Sequence, residues 1–242
     1  MPKKMIAFWS ANGSTGKTTL AIAFAAALKK YKTNIVLADF KEVMPHIHKY
    51  FGIELSDKSD IYEAIEDKRD VSAIIKHHLN KNQNTWILSG ISMNDFSKFQ
   101  EKHFSIVIKT LKDEFDYVLL DTNSGVFFSS TYTALKNSDV ILCVTAPTIW
   151  SVEDTAEMIK FVCERWDIDK NKFKIILNTS VRSEVDVSTV ERIIGAETFN
   201  VRYGEKNVFH DIDRIVKVLI GKDIEDIGHI KAMREVKSIG AD

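Results

Sequence analysis

The sequence predicts an α/β fold, a single three-layer doubly wound domain with a mostly parallel central sheet. Two observations carry that prediction. Six apolar runs, at 5–10, 34–40, 85–90, 116–122, 139–145 and 172–178, are continuous rather than alternating in polarity, as strands covered on both faces must be. Between them lie stretches of helical periodicity, so strand and helix alternate as βαβ units require. At 242 residues the chain suits one large domain spanning 1–242 and falls short of two independent ones.

Taken in order, "MIAFWS" is the first strand and runs into "ANGSTGKTT", a turn that opens the first helix, 17 to 31. That helix, "TTLAIAFAAALKKY", is apolar nearly all round until its last turn, which suits an element held between the sheet and other helices. After the strand "NIVLADF" comes helical sequence from 60 to 80 with a break, then "TWILSG". In the next segment, 94 to 114, Phe96, Phe99, His103, Val107 and Leu111 recur every three or four residues opposite lysines and acids, the pattern of a surface helix. "DYVLLDT", helix 126 to 136, "DVILCVT", helix 150 to 165, "KFKIILN" and helix 187 to 194 complete the alternation. No internal repeat, low-complexity tract or Pro/Gly/Ser-rich linker interrupts it.

Composition excludes several classes. Hydrophobic residues at 45% and charged residues at 28% describe a compact chain, not a disordered one. A formal net charge of -1 supplies no global basic field toward nucleic acid or anionic lipid. From Val201 to Asp242 eight Lys/Arg face eight Asp/Glu, so no basic stripe for DNA is evident. Cys143 and Cys163 sit in apolar surroundings with no metal-ligand spacing and read as reduced core thiols of a cytosolic protein. Neither a signal peptide nor a run of about 18 apolar residues is present, which places the chain in the cytoplasm. The histidines of "HIH" at 46–48 and "HH" at 77–78 lack i, i+4 spacing and Cys or Glu partners, so they read as surface residues.

The loop between the first strand and first helix carries the chemistry. Gly13 and Gly16 permit positive φ and close backbone approach, so successive N–H groups can face phosphate oxygens with the helix dipole behind them. Lys17 would reach the β- and γ-phosphates, and the Thr18 hydroxyl would take a place on Mg²⁺. Asn12, Gly13, Ser14, Thr15, Gly16, Lys17, Thr18 and Thr19 are thus the expected nucleotide cradle, although Ala11 stands where a strict P-loop has glycine. Asp121, at the carboxyl end of an apolar parallel strand, is the second expected metal holder; its competing reading is a helix N-cap.

The loop "NGSTGKTT" resembles the deviant Walker A motif of the ParA/MinD ATPases, K-G-G-x-G-K-T-T. The likeness extends to "NIVLADFKEVMPHIHKYFGI" as switch I, "FDYVLLDTNSG" as switch II and "KIILNTS" as the adenine strand, and it covers residues 4 to about 236. "SVEDTAEMIKF" and the "WILSG" strand ahead of a long helix are most similar to the CpaE/TadZ branch, which positions pilus and secretion machinery. The resemblance implies ATP or ADP with Mg²⁺, a nucleotide-dependent homodimer and a protein partner in a localisation or secretion system. It also implies that Asn178 contacts adenine, that Gly125 senses the γ-phosphate, and that Arg202 stands in place of a proline beside the base, where it either stacks on adenine or lies in solvent. For Asn178 the competing reading is a turn former at a strand end.

Two departures bear on activity. Asn12 replaces the lysine that crosses an ATP-sandwiched dimer, so a charge-assisted contact becomes a neutral one of about half the strength. In switch I the expected D-x-D reads Asp39-Phe40-Lys41, so Asp39 keeps the first, metal-side role and an ammonium replaces the acid that orients water. Lys17 and Asp39 are then the expected catalytic residues of a weak or impaired ATPase. Glu42 is a substitute if the loop rearranges. Lys41 either supplies the charge lost at Asn12 to its own subunit's phosphates or is a solvated loop residue. A nucleotide-bound scaffold without catalysis and a DNA-partitioning ATPase are the alternatives. The C-terminal "DIGHIKAMREVKSIG" reads as packing against its own domain rather than as a membrane-targeting helix.

Overall fold

A computed structural model describes residues 3–31, 33–92, 95–179 and 183–221. The strands are β1 (Lys4–Trp9), β2 (Ile35–Phe40), β3 (Leu79–Asn82), β4 (Thr85–Leu88), β5 (Tyr117–Thr122), β6 (Val140–Thr145), β7 (Phe173–Asn178) and β8 (Thr198–Val201). They form one sheet in the order β3-β4-β2-β5-β1-β6-β7-β8. Every pairing is parallel except β3 with β4. The helices are α1 (Lys17–Leu28), α2 (Ile47–Tyr50), α3 (Ser59–Glu66), α4 (Val71–His77), α5 (Glu101–Glu114), α6 (Ser129–Asn137), α7 (Ile149–Trp166), α8 (Val187–Ile194) and α9 at 205–221. The expected three-layer fold is the observed one.

Continuous apolar strands follow from helices on both faces. Ile6 and Phe8 of β1 pack with α1 and with Ile212, Ile215 and Val216 of α9. Met5 of the same strand points the other way and joins Phe104, Ile108 and Leu111 of α5, while Ala7 and Trp9 pack against Val152, Ile159 and Val162 of α7. Successive side chains of one strand thus enter opposite layers. α1 is buried along most of its length, as its all-round apolar sequence requires.

Several boundaries differ from the sequence reading, each for a definite reason. The expected helix 94 to 114 begins only at Glu101. Its N-cap Gln100 is locked by a reciprocal pair in which the Gln100 amide donates to His103 Nδ1 at 2.9 Å, and residues 96–98 form a separate 3-10 turn. The expected helix 126 to 136 starts at Ser129, where a carboxylate from switch I caps it. β3, "LNKN", is half-exposed and too polar to show an apolar run; it joins the edge through a turn in which Gln83 takes φ +52°. The histidine reading is corrected at His78, which is buried against Asp60 with its Nε2 2.8 Å from a carboxylate oxygen. No helix among the described residues is long and apolar enough to cross a membrane. The segment from 226 to 240 lies outside the described residues.

Candidate functional site

The site forms at the carboxyl ends of the parallel strands, the usual position for ligands in open α/β sheets. β1 ends at Trp9 and the chain turns through residues 10–16 into α1. The turn needs two left-handed residues, Ser14 at φ +57° and Gly16 at φ +93°. Gly16 cannot be replaced without cost, because a Cβ there would lie 2.5 Å from Asn178 Nδ2. Lys17 folds back beneath the loop and is buried, donating to Ser10 Oγ at 2.8 Å and to Ser124 Oγ at 2.7 Å. Burial pulls its pKa down to about 8, the neighbouring Lys41 charge adds to this, and Asp121 opposes it. Beside it, the Thr15 hydroxyl is buried without a hydrogen-bond partner among the described residues.

Switch II is tied to this loop from beneath. The Trp9 indole donates to the Gly125 carbonyl at 2.8 Å, and the Gly125 amide donates to the Ser10 carbonyl at 2.9 Å. Gly125 therefore spends on Ser10 the amide expected to sense phosphate. At the mouth, Asn12 turns its amide to Asp154 of α7, 2.9 Å away. Ser10, Ser124 and Asp154 are partners that the sequence reading did not assign, since a serine or aspartate becomes informative only once the fold says what faces it.

The β2/β5 register sets Asp39 directly beside Asp121, two buried carboxylates on adjacent strand ends. Burial and the Asp121 charge push the Asp39 pKa up to about 6, against the Lys41 charge and the backbone donors. Asp39 is engaged in shaping its loop: Oδ2 accepts from the amides of His46 at 2.7 Å and Ile47 at 2.9 Å, and Oδ1 from the Lys41 amide at 3.2 Å. Lys41 is not a solvated loop residue. Its ammonium lies 2.6 Å from Asp121 Oδ2 and also donates to Thr18 Oγ1, which itself donates to the same carboxylate oxygen at 2.7 Å. Glu42 is equally committed, with Oε1 accepting from the Ser130 amide at 2.6 Å and the Ser129 hydroxyl at 3.0 Å. The N-terminus of α6 thus takes the carboxylate that the sequence offered as a substitute water-orienting group.

A cavity of about 790 Å³ opens from the loop, bounded by Gly16, Thr19, Ala23, Pro147, Asn178 and Tyr203. Asn178 borders it, and its amide donates to the Thr15 carbonyl at 2.8 Å and so braces the loop. Arg202 does not line the cavity. Its guanidinium forms a bidentate pair with buried Asp211 of α9, at 2.9 and 2.7 Å, and the adjacent Tyr203 takes the place at the cavity wall. An arginine beside a carboxylate one helical approach away finds a stronger partner there than an aromatic base would be.

A family model described as an AAA domain matches residues 3–175, more than half of the chain. The chain belongs to this family. MinD of Buchnera aphidicola subsp. Schizaphis graminum is 25% identical over 242 residues, covering 98% of this chain and 83% of its own. Among solved structures, MinD of Pyrococcus horikoshii complexed with Mg-ADP superposes with a TM-score of 0.74 at 19% identity, covering 90% of this chain and 98% of that one. A ParA family ATPase of Chlorobium tepidum gives 0.71 at 19% identity, with 90% and 92% covered. These likenesses establish the ParA/MinD-type fold.

Members of such a family imply a metal at the phosphate loop, and the present residues fit one poorly. Thr18 and Asp121 are oxygen donors of the right chemistry, and Asp121 Oδ1 is buried without a hydrogen-bond partner among the described residues. The Lys41 ammonium, however, is seated on the two oxygens a metal would need.

Proposed function

We propose that this ParA/MinD-type protein binds an adenine nucleotide in the loop 10–19 and the adjoining cavity, and uses the nucleotide state to change the surface it offers to partners. The observation that carries this reading is the buried Lys17 ammonium, held by one hydroxyl from the loop and one from switch II. A phosphate arriving in the loop competes for that ammonium and frees Ser124, so occupancy is felt in switch II. The largely apolar cavity at the helix start suits a purine ring and its sugar, and the P. horikoshii relative holds Mg-ADP.

Hydrolysis is slow or absent in this reading. Asp39 is engaged by backbone amides, Glu42 caps α6, and Lys41, standing in the sequence where the water-orienting acid would be, holds its ammonium on Asp121. The chain then acts as a weak ATPase or a non-catalytic scaffold. Its cellular role is spatial organisation, in line with the MinD and ParA relatives, and the CpaE/TadZ-like segments favour a pilus or secretion system. Phe127 and Trp150, 88% and 74% exposed beside switch II and at the start of α7, supply apolar surface for a second subunit or a partner. Light scattering with phosphate release, recorded on purified protein with ATP and Mg²⁺, tests this. Nucleotide binding with release well below one turnover per minute is expected; absence of binding by calorimetry, with Lys17→Ala behaving like the parent, would overturn it.

A further inference from the structure

We propose that the Lys41 ammonium is a built-in replacement for the divalent metal, so that the chain takes a nucleoside di- or triphosphate without a metal ion. The nucleotide part rests on the reading above; the occupation of the cation position does not.

The position is constructed rather than accidental. Asp121 is fully buried, and its Oδ2 receives both the Thr18 hydroxyl and the Lys41 ammonium, whose side chain is 11% exposed. The backbone holding Lys41 is pinned on both sides. Its own amide donates to Asp39 Oδ1, and the next residue's amide donates to Asn123 Oδ1 at 2.8 Å while that residue's carboxylate sits on the start of α6. Two carboxylates, Asp121 and Asp39, face the ammonium from β5 and β2, against the like charge of the neighbouring Lys17. A lysine so placed satisfies a buried carboxylate that would otherwise need a cation from solution. It also points a positive charge at the place where a terminal phosphate would lie against Thr18. A divalent ion would have to expel it, leaving an ammonium crowded against two positive charges.

The test compares the parent chain with Lys41→Met, which keeps the stem and removes the charge. Nucleotide affinity is read from fluorescence of a methylanthraniloyl-labelled ADP, in magnesium and in chelator. The parent should change by less than about twofold between the two media. Lys41→Met should lose about ten- to hundredfold in chelator, the size of one charge-assisted contact, and recover most of it in magnesium. A parent that weakens tenfold or more on chelation, or a variant that matches the parent in both media, overturns the proposal. If no nucleotide binds in any condition, the nucleotide reading fails, and thermal melting of the unliganded proteins decides the rest. Magnesium should raise the melting temperature of Lys41→Met by several degrees while leaving the parent and the double variant Lys41→Met/Asp121→Asn unmoved. Equal responses in all three, or none in Lys41→Met, would show that no cation position exists there.

Discussion

Single charges carry most of what distinguishes this site, and they are also where its stability depends on pH. Lys58 is buried, with its ammonium 2.9 Å from the Gly90 carbonyl and 3.0 Å from Ser89 Oγ. Burial lowers its pKa to about 8, only partly offset by Asp39, Asp60 and Asp95. The unfolded chain, with an ordinary lysine near 10.4, binds more protons between those two values, so this group makes stability rise with pH from about 8 to about 10. Two pKa units correspond to roughly 3 kcal/mol at most. Urea unfolding at pH 8 and pH 10 should therefore give the parent a gain over Lys58→Met of about 2 kcal/mol, whereas parallel slopes would deny the shift. The residue scale is also where the sequence was least legible. Lys17 and Asp121 were readable because each has a fixed place in a motif. The seats of Lys41, Glu42 and Arg202 were not, since each is decided by a competitor on another element: Asp121, the α6 amides and Asp211.

Elements were legible in proportion to their burial. All six apolar runs are strands, because helices on both faces leave no polar alternation to obscure them. β3, α9 and the four-residue α2 and β8 were missed: β3 is polar and at the edge, α2 and β8 are too short for a run, and α9 follows directly on a turn. The start of α6 meets a cap that comes from afar, and it supports a prediction. Glu42 belongs to switch I yet satisfies the Ser130 amide and the Ser129 hydroxyl in the first turn of α6, where the helix dipole favours a negative charge. Glu42→Ala should cost about 1–3 kcal/mol in urea unfolding and Glu42→Gln less, since the amide oxygen still accepts but carries no charge. A loss below about 0.5 kcal/mol for the alanine variant would mean that water serves the helix equally well. Gly16→Ala tests the neighbouring turn. Left-handed φ costs about 1–2 kcal/mol for alanine, and the added methyl must displace Asn178 from the Thr15 carbonyl, so both stability and loop shape should suffer. A variant with unchanged midpoint would show that the loop relaxes freely.

At the scale of the molecule the question is whether the two halves of the sheet can part. On one face, a single apolar cluster runs from Ile35, Leu37 and Ile87 across Phe8 and Leu119 to Ile176 and Val201, so β4 and β8, near opposite edges, share a core under α1 and α9. On the other face the core divides into a part around α5 and a part around α7, but α6 straddles them, with Ala134 in one and Leu135 in the other. The phosphate loop lies above the middle of the sheet, where β1 meets β5 and β6, and its ties to switch II through Trp9 and Ser124 cross the same line. A fracture between halves would therefore expose the cluster under α1 and break the site together, which favours all-or-none unfolding. Trp86 packs with the α5 part and Trp166 with the α7 part, so each reports on a different half. In two variants that keep only Trp86 or only Trp166, the others replaced by phenylalanine, urea unfolding followed by fluorescence should give each variant the midpoint that its own far-ultraviolet circular dichroism gives. If fluorescence and circular dichroism separate in either variant, one half of the sheet opens first and the chain is two cooperative units rather than one.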